Sequence, residues 1–283
     1  MQRKLTILLL LLISGCSIQK FAVRSMSDIM DNGFVVLNEE SDLELAEKSI
    51  ASNLKLLEAM KKSDPTNKDL LQLLCTGYTS YALGFVEDTD VERAKIFYLR
   101  AKEFGIELLK QNKHFDENAT LANFENSLST FKKSDIPALF WTAIAWGSYI
   151  SLNLTQPEAL ADLPKVEAIM KFIIKTDENY YYGGAHFFLG ALYGSRPKIF
   201  GGNPEESKKH FDKCLSINEG KFLMTYVYYA KTYAVQIQDP VLFQDLLGKI
   251  DEMSEDVLPE ARLSNVIAKK KAEILRNKFN ELF

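Results

Sequence analysis

Apolar residues recur every three to four positions along most of the chain after residue 40, which is the period of an amphipathic α-helix. In residues 42–61, for example, Leu43, Ala46, Ile50 and Leu54 fall near one face. The same period predicts helices over residues 42–61, 70–86, 91–110, 118–131, 137–154, 163–174, 180–193, 204–217, 222–236 and 259–283. No stretch shows the sustained polar–apolar alternation of a strand, and residues 31–37 are interpreted as part of an N-terminal helical segment or an extended arm. The pattern predicts an all-α protein.

The N-terminal residues follow a different pattern, that of an export signal. Arg3 and Lys4 precede a nine-residue apolar run, Leu5–Ile13, which is too short to span a bilayer. The run ends in Ile-Ser-Gly-Cys, a bacterial lipobox whose Cys16 supplies the thiol that receives diacylglycerol. An ordinary secretory signal with a chance cysteine is the alternative.

These features divide the chain into three parts. We expect residues 1–15 to form a lipoprotein signal peptide, residues 16–26 to hold the lipidated Cys16 and a tether, and residues 27–283 to form one compact helical domain. Several acyl chains give stable anchoring, so the mature protein is expected at the periplasmic face of a bacterial membrane. Ser17, rather than Asp, follows the cysteine, which slightly favours the outer membrane.

The helices carry a degenerate repeat of the tetratricopeptide type. That unit pairs two antiparallel helices and places small residues where they approach closely. Two sets of residues have identical spacing, offset by 113 positions: Gly77, Ala94, Tyr98 and Ala101, then Gly190, Ser207, Phe211 and Cys214. Residues 147–173 are a further divergent candidate. The domain is therefore predicted to consist of divergent tetratricopeptide-like helix pairs.

The glycine-rich stretch SRPKIFGGNPEESKKHF, residues 195–211, raises the possibility of a phosphate-binding loop. Such a loop needs a preceding strand and a Lys-Ser/Thr pair, and here Glu205 and Glu206 would repel a phosphate. Asn203 suits a helix N-cap and Pro204 the first helical position. The stretch is interpreted as a joint between helices. Arg196 and Lys198 could meet an anionic ligand or cap the negative end of the preceding helix, and both readings stay open.

The chain resembles a known family, the T-component lipoproteins of TRAP transporters, often called TatT. The similar stretches are residues 53–88, residues 138–152 with their tryptophans, and residues 163–223 with the glycine-rich turn, together with the lipobox. Residues 196–211 are the most specific part of the resemblance. Cys214 stands where an alanine is more usual in the family.

The resemblance implies an all-helical periplasmic protein without known catalytic activity. Such proteins are held to dock the substrate-binding protein of a TRAP system, which imports organic acids with an ion gradient rather than ATP. They are thought to form homo-oligomers, with a trimer expected, and to offer an apolar pocket or channel to a ligand.

Aromatic side chains are the best ligand candidates, because consecutive aromatics on a helix point about 100° apart and cannot all face one core. Tyrosines near a cation would suit an amphipathic ligand with an anionic head. The candidate ligand-binding residues are Trp141, Trp146, Tyr149, Tyr182, Phe187, Tyr193, Arg196, Lys198 and Tyr229.

Composition excludes several classes of function. A net charge of −4 without basic clusters argues against a nucleic-acid-binding protein. His114, His186 and His210 lack the spacing of metal ligands, and no catalytic motif is present, so neither metal, cofactor nor enzymatic activity is expected. Cys75 and Cys214 lie in apolar helical stretches and are interpreted as small buried residues rather than a disulfide or a reactive thiol.

Three functions compete at this point. The first is a lipid-tethered uptake accessory that docks a periplasmic binding protein and holds a hydrophobic or organic-acid ligand. The second is an envelope adaptor of the tetratricopeptide type without a small-molecule site. The third is an unrecognised enzyme. The first predicts an aromatic-lined cavity, the second filled helix interiors, and the third clustered titratable groups in a cleft.

Overall fold

The computed structural model of the chain describes residues 20–27 and 29–283, and all regular structure in that part is helical. The predicted all-α fold is therefore confirmed. The predicted signal peptide and the lipobox with Cys16 lie outside the described residues, so they stay predictions. Within the described part, every helix is too short or too polar to cross a bilayer.

Up to residue 161, the described residues form seven α-helices. Helix α1 comprises the helical residues 20–27 and 29–38. It is followed by α2 (Leu43–Ser63), α3 (Lys68–Tyr81), α4 (Val91–Leu109), α5 (Leu121–Leu128), α6 (Ile136–Ser151) and α7 (Pro157–Ala161). A π-helical turn, Ala82–Val86, continues α3.

The second half continues in the same way. Its helices are α8 (Leu163–Asp177), α9 (Tyr180–Gly194), α10 (Pro204–Asn218), α11 (Met224–Tyr228), α12 (Pro240–Glu252), α13 (Arg262–Asn277) and α14 (Phe279–Leu282). A second π-helical turn, Tyr229–Ala234, continues α11. The predicted helix 259–283 is divided into a 3₁₀ turn, Pro259–Ala261, and helices α13 and α14.

Polar side chains cap several of these helices. The predicted cap at Asn203 is confirmed, because its Oδ1 accepts the Glu206 N–H at 3.3 Å. The Asn203 N–H donates to the Tyr193 carbonyl oxygen at 3.0 Å, which ties the joint to the end of α9. Helix α12 is absent from the predicted set although Asp239 caps it and Pro240 opens it. Its signals were present in the sequence, and the prediction missed them.

Buried apolar side chains form three clusters, centred on α6 with α8 and α9, on α11 to α13, and on α2 to α4. The predicted pairs α3–α4 and α9–α10 pack together, but their glycines meet different partners. Gly190 lies against the Phe211 ring, whereas Gly77 lies against Leu54 and Phe34. The tetratricopeptide-like description stays a prediction.

Both cysteines in the described part are free and buried, which confirms their interpretation as small buried residues. Burial raises the pKa of the Cys75 thiol to about 12 and that of Cys214 to about 11. Because the thiolate is the reactive form, neither thiol is activated at neutral pH.

Candidate ligand cavities

Helix α9 begins with a left-handed break at three consecutive residues. The φ angles of Tyr181, Tyr182 and Gly183 are +48°, +60° and +79°. A residue other than Gly pays on the order of 1–3 kcal/mol in this region, and such strain concentrates at functional sites. Asn218 Nδ2 donates to the Tyr182 carbonyl oxygen at 3.2 Å, and Cys214 Sγ lies 3.5 Å from the same oxygen. These contacts from α10 hold the break in place.

The break directs the Tyr181 ring to the junction of two apolar clusters. The ring centroid lies 5.0 Å from that of Trp141 on α6 and 5.9 Å from that of Phe222. Tyr180 packs edge-on against Phe140 at 5.2 Å. A continuous helix could not turn successive tyrosines in this way, because its side chains follow a fixed 100° step.

A cavity of about 330 Å³ lies beside these rings, where the three apolar clusters meet. We call it the central cavity. Its size falls at the lower end of the range of small-molecule pockets. Its walls come from α1, α2, α3, the first π-helical turn, α6, the start of α9, residues 222–224 and α13. The lining side chains include Phe34, Leu37, Ile50, Leu73, Leu83, Phe85, Phe140, Trp141, Ile144, Tyr180, Tyr181, Phe187, Phe222, Met224, Leu263 and Ile267.

A few polar groups interrupt this apolar wall, and some of them already have partners. Gln72 Nε2 donates to Thr76 Oγ1 at 2.9 Å, and the Thr79 hydroxyl donates to the Cys75 carbonyl oxygen at 2.7 Å. Burial raises the pKa of Tyr181, so its hydroxyl is neutral at physiological pH. Asp31 is the charged side chain of the lining and is exposed at its edge. The central cavity therefore suits a largely apolar ligand.

Helix α1 covers one side of the central cavity. Phe34 lines the cavity and packs against Gly77, where an added Cβ would come within 3.1 Å of the Phe34 ring. Arg24 Nε lies 3.3 Å from Asp64, and Arg262 donates to the Glu39 carbonyl oxygen at 2.8 Å. These polar contacts fix both ends of the cover to the helical body.

An ion cluster lies where the first π-helical turn meets the second. Glu87 follows the first turn, and its carboxylate accepts from the Tyr228 hydroxyl at 2.9 Å and the Tyr98 hydroxyl at 2.6 Å. Lys271 Nζ lies 3.1 Å from the same carboxylate. Lys271 also pairs with Asp88. The cluster joins α13 to both turns, and the first of these turns lines the central cavity.

Two predicted site residues line the central cavity, namely Trp141 and Phe187. Phe187 also packs edge-on against Tyr228 with 5.0 Å between ring centroids. Tyr182 does not belong to the lining, and its ring stacks on Phe222 at 5.2 Å.

Three other predicted residues lie in the apolar core or against it. Trp146 is 1% exposed, and Lys102 Nζ lies 4.3 Å from the centre of its ring. Tyr229 is buried against Phe211, with the two rings stacked at 4.6 Å. Tyr149 packs beside the α2–α4 cluster. None of the three lines the central cavity.

The remaining predicted residues lie at or near the C-terminal end of α9. Arg196 is buried and lines a second cavity of about 730 Å³, which shares no lining residue with the central one. Lys198 is exposed outside it. Tyr193 donates its hydroxyl hydrogen to Glu167 Oε1 at 2.5 Å, and Glu167 belongs to the second cavity.

Several lining residues were missing from the predicted set. Tyr180 and Tyr181 stand in the same run of tyrosines as Tyr182, and this run is visible in the sequence. The backbone break that decides which of these tyrosines faces the cavity has no signal in the sequence. Phe222 and Phe34 have no local signature. His186 and His210, which are 24 positions apart, meet with 2.8 Å between their Nδ1 atoms. Burial lowers the pKa of His210 to about 4.

The chain matches the family described as the TRAP transporter T-component over residues 39–283, and it belongs to that family. The predicted resemblance is confirmed. The family is one of transporter components rather than of enzymes. The chain is also 21% identical to an uncharacterised protein of Treponema pallidum (strain Nichols), across 96% of this chain and 94% of that protein.

Proposed function

We propose that this protein is a lipid-anchored periplasmic accessory of a TRAP-type, ATP-independent uptake system. It docks the substrate-binding protein of that system and holds a hydrophobic or organic-acid ligand. Cys16 carries the anchor, in the outer membrane in preference to the inner, and the protein acts as a homo-oligomer, with a trimer expected. Family membership and the lipobox support this assignment.

The central cavity is the observation that carries the ligand-holding part. A protein packs its interior to high density, so an apolar space of about 330 Å³ lowers the stability of the empty fold, and a bound apolar ligand would offset that loss. Tyr181, which lies in the strained left-handed break, forms part of the same wall. The alternative, an envelope adaptor without a small-molecule ligand, predicts filled helix interiors and accounts for neither feature.

Tryptophan fluorescence tests ligand holding. The chain has two tryptophans, of which Trp141 lines the central cavity and Trp146 is enclosed in the core. In a Trp146→Phe chain, the emission of Trp141 should change saturably on titration with octan-1-ol. Adding Ser80→Leu, which places a larger side chain on the cavity wall, should abolish that change.

Ala122→Leu is the matched control, because Ala122 is exposed on α5 and lines neither cavity. It should leave the titration unaltered. A response that survives Ser80→Leu, or none in the parent chain, would favour the adaptor. Docking is tested separately by native mass spectrometry with a TRAP substrate-binding protein from the same genome. A monomer that captures no binding protein would contradict the docking and oligomer parts.

A further inference from the structure

The segment from Ser195 to Asn203 holds a fixed backbone conformation. The Gly202 N–H donates to the Pro197 carbonyl oxygen at 3.1 Å, and Gln236 Nε2 donates to the Arg196 carbonyl oxygen. A Cβ at Gly202 would lie 1.7 Å from that same oxygen, so only glycine fits there. The segment therefore places Arg196 in one position rather than leaving it on a free loop.

The Arg196 side chain lies inside the fold with an incomplete set of partners. The residue is 5% exposed, and its Nε donates to the Leu192 carbonyl oxygen at 3.2 Å, at the C-terminal end of α9. Among the described residues, no carboxylate lies within 4.0 Å of the guanidinium, and its terminal nitrogens make no hydrogen bond within the chain. An arginine has five N–H donors, so most of them remain available.

Glu167 is the acidic group that acts on Arg196 from a greater distance. Its Oε1 already accepts the Tyr193 hydroxyl at 2.5 Å and pairs with Lys171 at 2.6 Å. Lys171, whose side chain is exposed, is therefore a direct partner of the Glu167 carboxylate. The lining of the cavity thus carries one carboxylate, which has direct partners, and one guanidinium, whose terminal nitrogens have none among the described residues.

The second cavity, which Arg196 lines, has the surface for an amphipathic molecule. Its volume is about 730 Å³, and it lies between the α6–α8 connection and the end of α9. Leu154, Leu160, Leu163 and Pro164 supply apolar wall, and Thr155 and Ser195 add hydroxyl groups to the lining. A guanidinium is a planar fork that matches a carboxylate with two parallel hydrogen bonds.

We propose that the second cavity binds a small monocarboxylic acid with an apolar chain, whose carboxylate pairs with Arg196 and whose chain packs on Leu160 and Leu163. This site is distinct from the central cavity. The proposal deepens the ligand-holding role proposed above. It rests on that role in one respect, namely that this protein binds small molecules. The capping contact to Leu192 and the anion contact use different nitrogens of Arg196, so the two interpretations of this residue are compatible.

Isothermal titration calorimetry of the purified Ser80→Leu chain, in which the central cavity is blocked, tests the proposal with octanoate and octan-1-ol, which share one alkyl chain and differ in charge. We expect octanoate to bind more tightly than octan-1-ol. Arg196→Gln should weaken octanoate roughly 10- to 100-fold, as expected for losing hydrogen bonds to a charged group, and leave octan-1-ol unchanged. Lys198→Gln is the matched control, since it removes one exposed positive charge from the same segment.

Thermal unfolding shows whether each variant is folded. If Arg196→Gln is not, Arg196→Lys keeps the charge but loses the fork, and it should still weaken octanoate. The proposal is overturned if octanoate binds no more tightly than octan-1-ol, if Arg196→Gln and Lys198→Gln weaken it equally, or if a folded Arg196 variant keeps full affinity. Ligand binding in the central cavity is tested separately, by the effect of Ser80→Leu on Trp141 fluorescence. Failure of the ligand-holding role there can therefore be told apart from failure of this proposal.

Discussion

Replacing Glu87 with Gln tests how much the buried ion cluster stabilises the fold. The Glu87 side chain is 10% exposed and that of Lys271 only 5%. The pKa of Glu87 falls to about 2, because the nearby positive charges of Lys271 and Lys231 and the hydrogen bonds from Tyr98 and Lys271 outweigh the opposing effect of burial. Gln keeps the shape of the side chain but cannot carry the negative charge.

The magnitude follows from the difference between the folded and unfolded pKa values. A fall from 4.5 to about 2 means that the folded state prefers the ionised carboxylate by about 3 kcal/mol. Because the folded pKa is depressed, this stability is fully present above pH 4.5 and is lost as the pH falls toward 2. Glu87→Gln should therefore lower the free energy of unfolding at pH 7 by about 3 kcal/mol, and the melting temperature by roughly 6–12 °C.

The assay is urea unfolding of both chains at a series of pH values between 7 and 3. Other carboxylates titrate in the parent protein and in the Glu87→Gln variant alike. The difference between their free energies of unfolding therefore isolates the contribution of Glu87. That difference should shrink as the pH falls below 4.5. Glu44→Gln is the control, since its pair with Lys48 is exposed and should contribute less than about 1 kcal/mol. A difference at pH 7 no larger than that of the control, or one that does not shrink in acid, would refute the reasoning.

Three further predictions concern separate parts of the chain. Asn203→Ala should cost about 1 kcal/mol through loss of the α10 cap, and an unchanged melting temperature would contradict the capping role. Gly183→Ala should cost about 1–2 kcal/mol in urea unfolding because φ is +79° there, whereas Gly33→Ala, in open space on α1, should be neutral or stabilising. Equal effects of the two would argue against the left-handed break. Cys16→Ser should release the protein from membranes in a fractionation assay, and retention after a high-salt wash would contradict lipid anchoring.

Capping residues and the apolar period predicted the helices, because these signals depend only on residues a few positions apart in the sequence. The α10 start at Asn203-Pro204 follows from capping chemistry, and the apolar period of α2 marks its buried face at Ala46, Ile50 and Leu54. The same signals could not predict the π-helical turn at Ala82–Val86, which the sequence presents as a continuation of α3. Gly84 allows Ile267 of α13 to approach that turn closely, and this partner is remote in sequence.

The same distinction between local and long-range signals applies to the candidate site. The aromatic composition of residues 180–182 indicated a ligand-binding region, but which ring faces the central cavity depends on the left-handed break. That break is held by Asn218 and Cys214, more than thirty positions away. Trp141 and Trp146 looked equivalent in sequence, yet one lines the cavity and the other is enclosed by the core.

The sequence by itself determined the helical class, most helix positions, the family and the joint before α10, because periodicity, capping and turn chemistry are local properties. Only the tertiary structure decided where space is left unfilled and which charge lacks a partner. The central cavity is bounded by side chains from Asp31 to Ile267, and Arg196 lines the second cavity without a salt bridge to any carboxylate of the described residues. Both outcomes are set by the packing of distant helices, which no short stretch of sequence encodes.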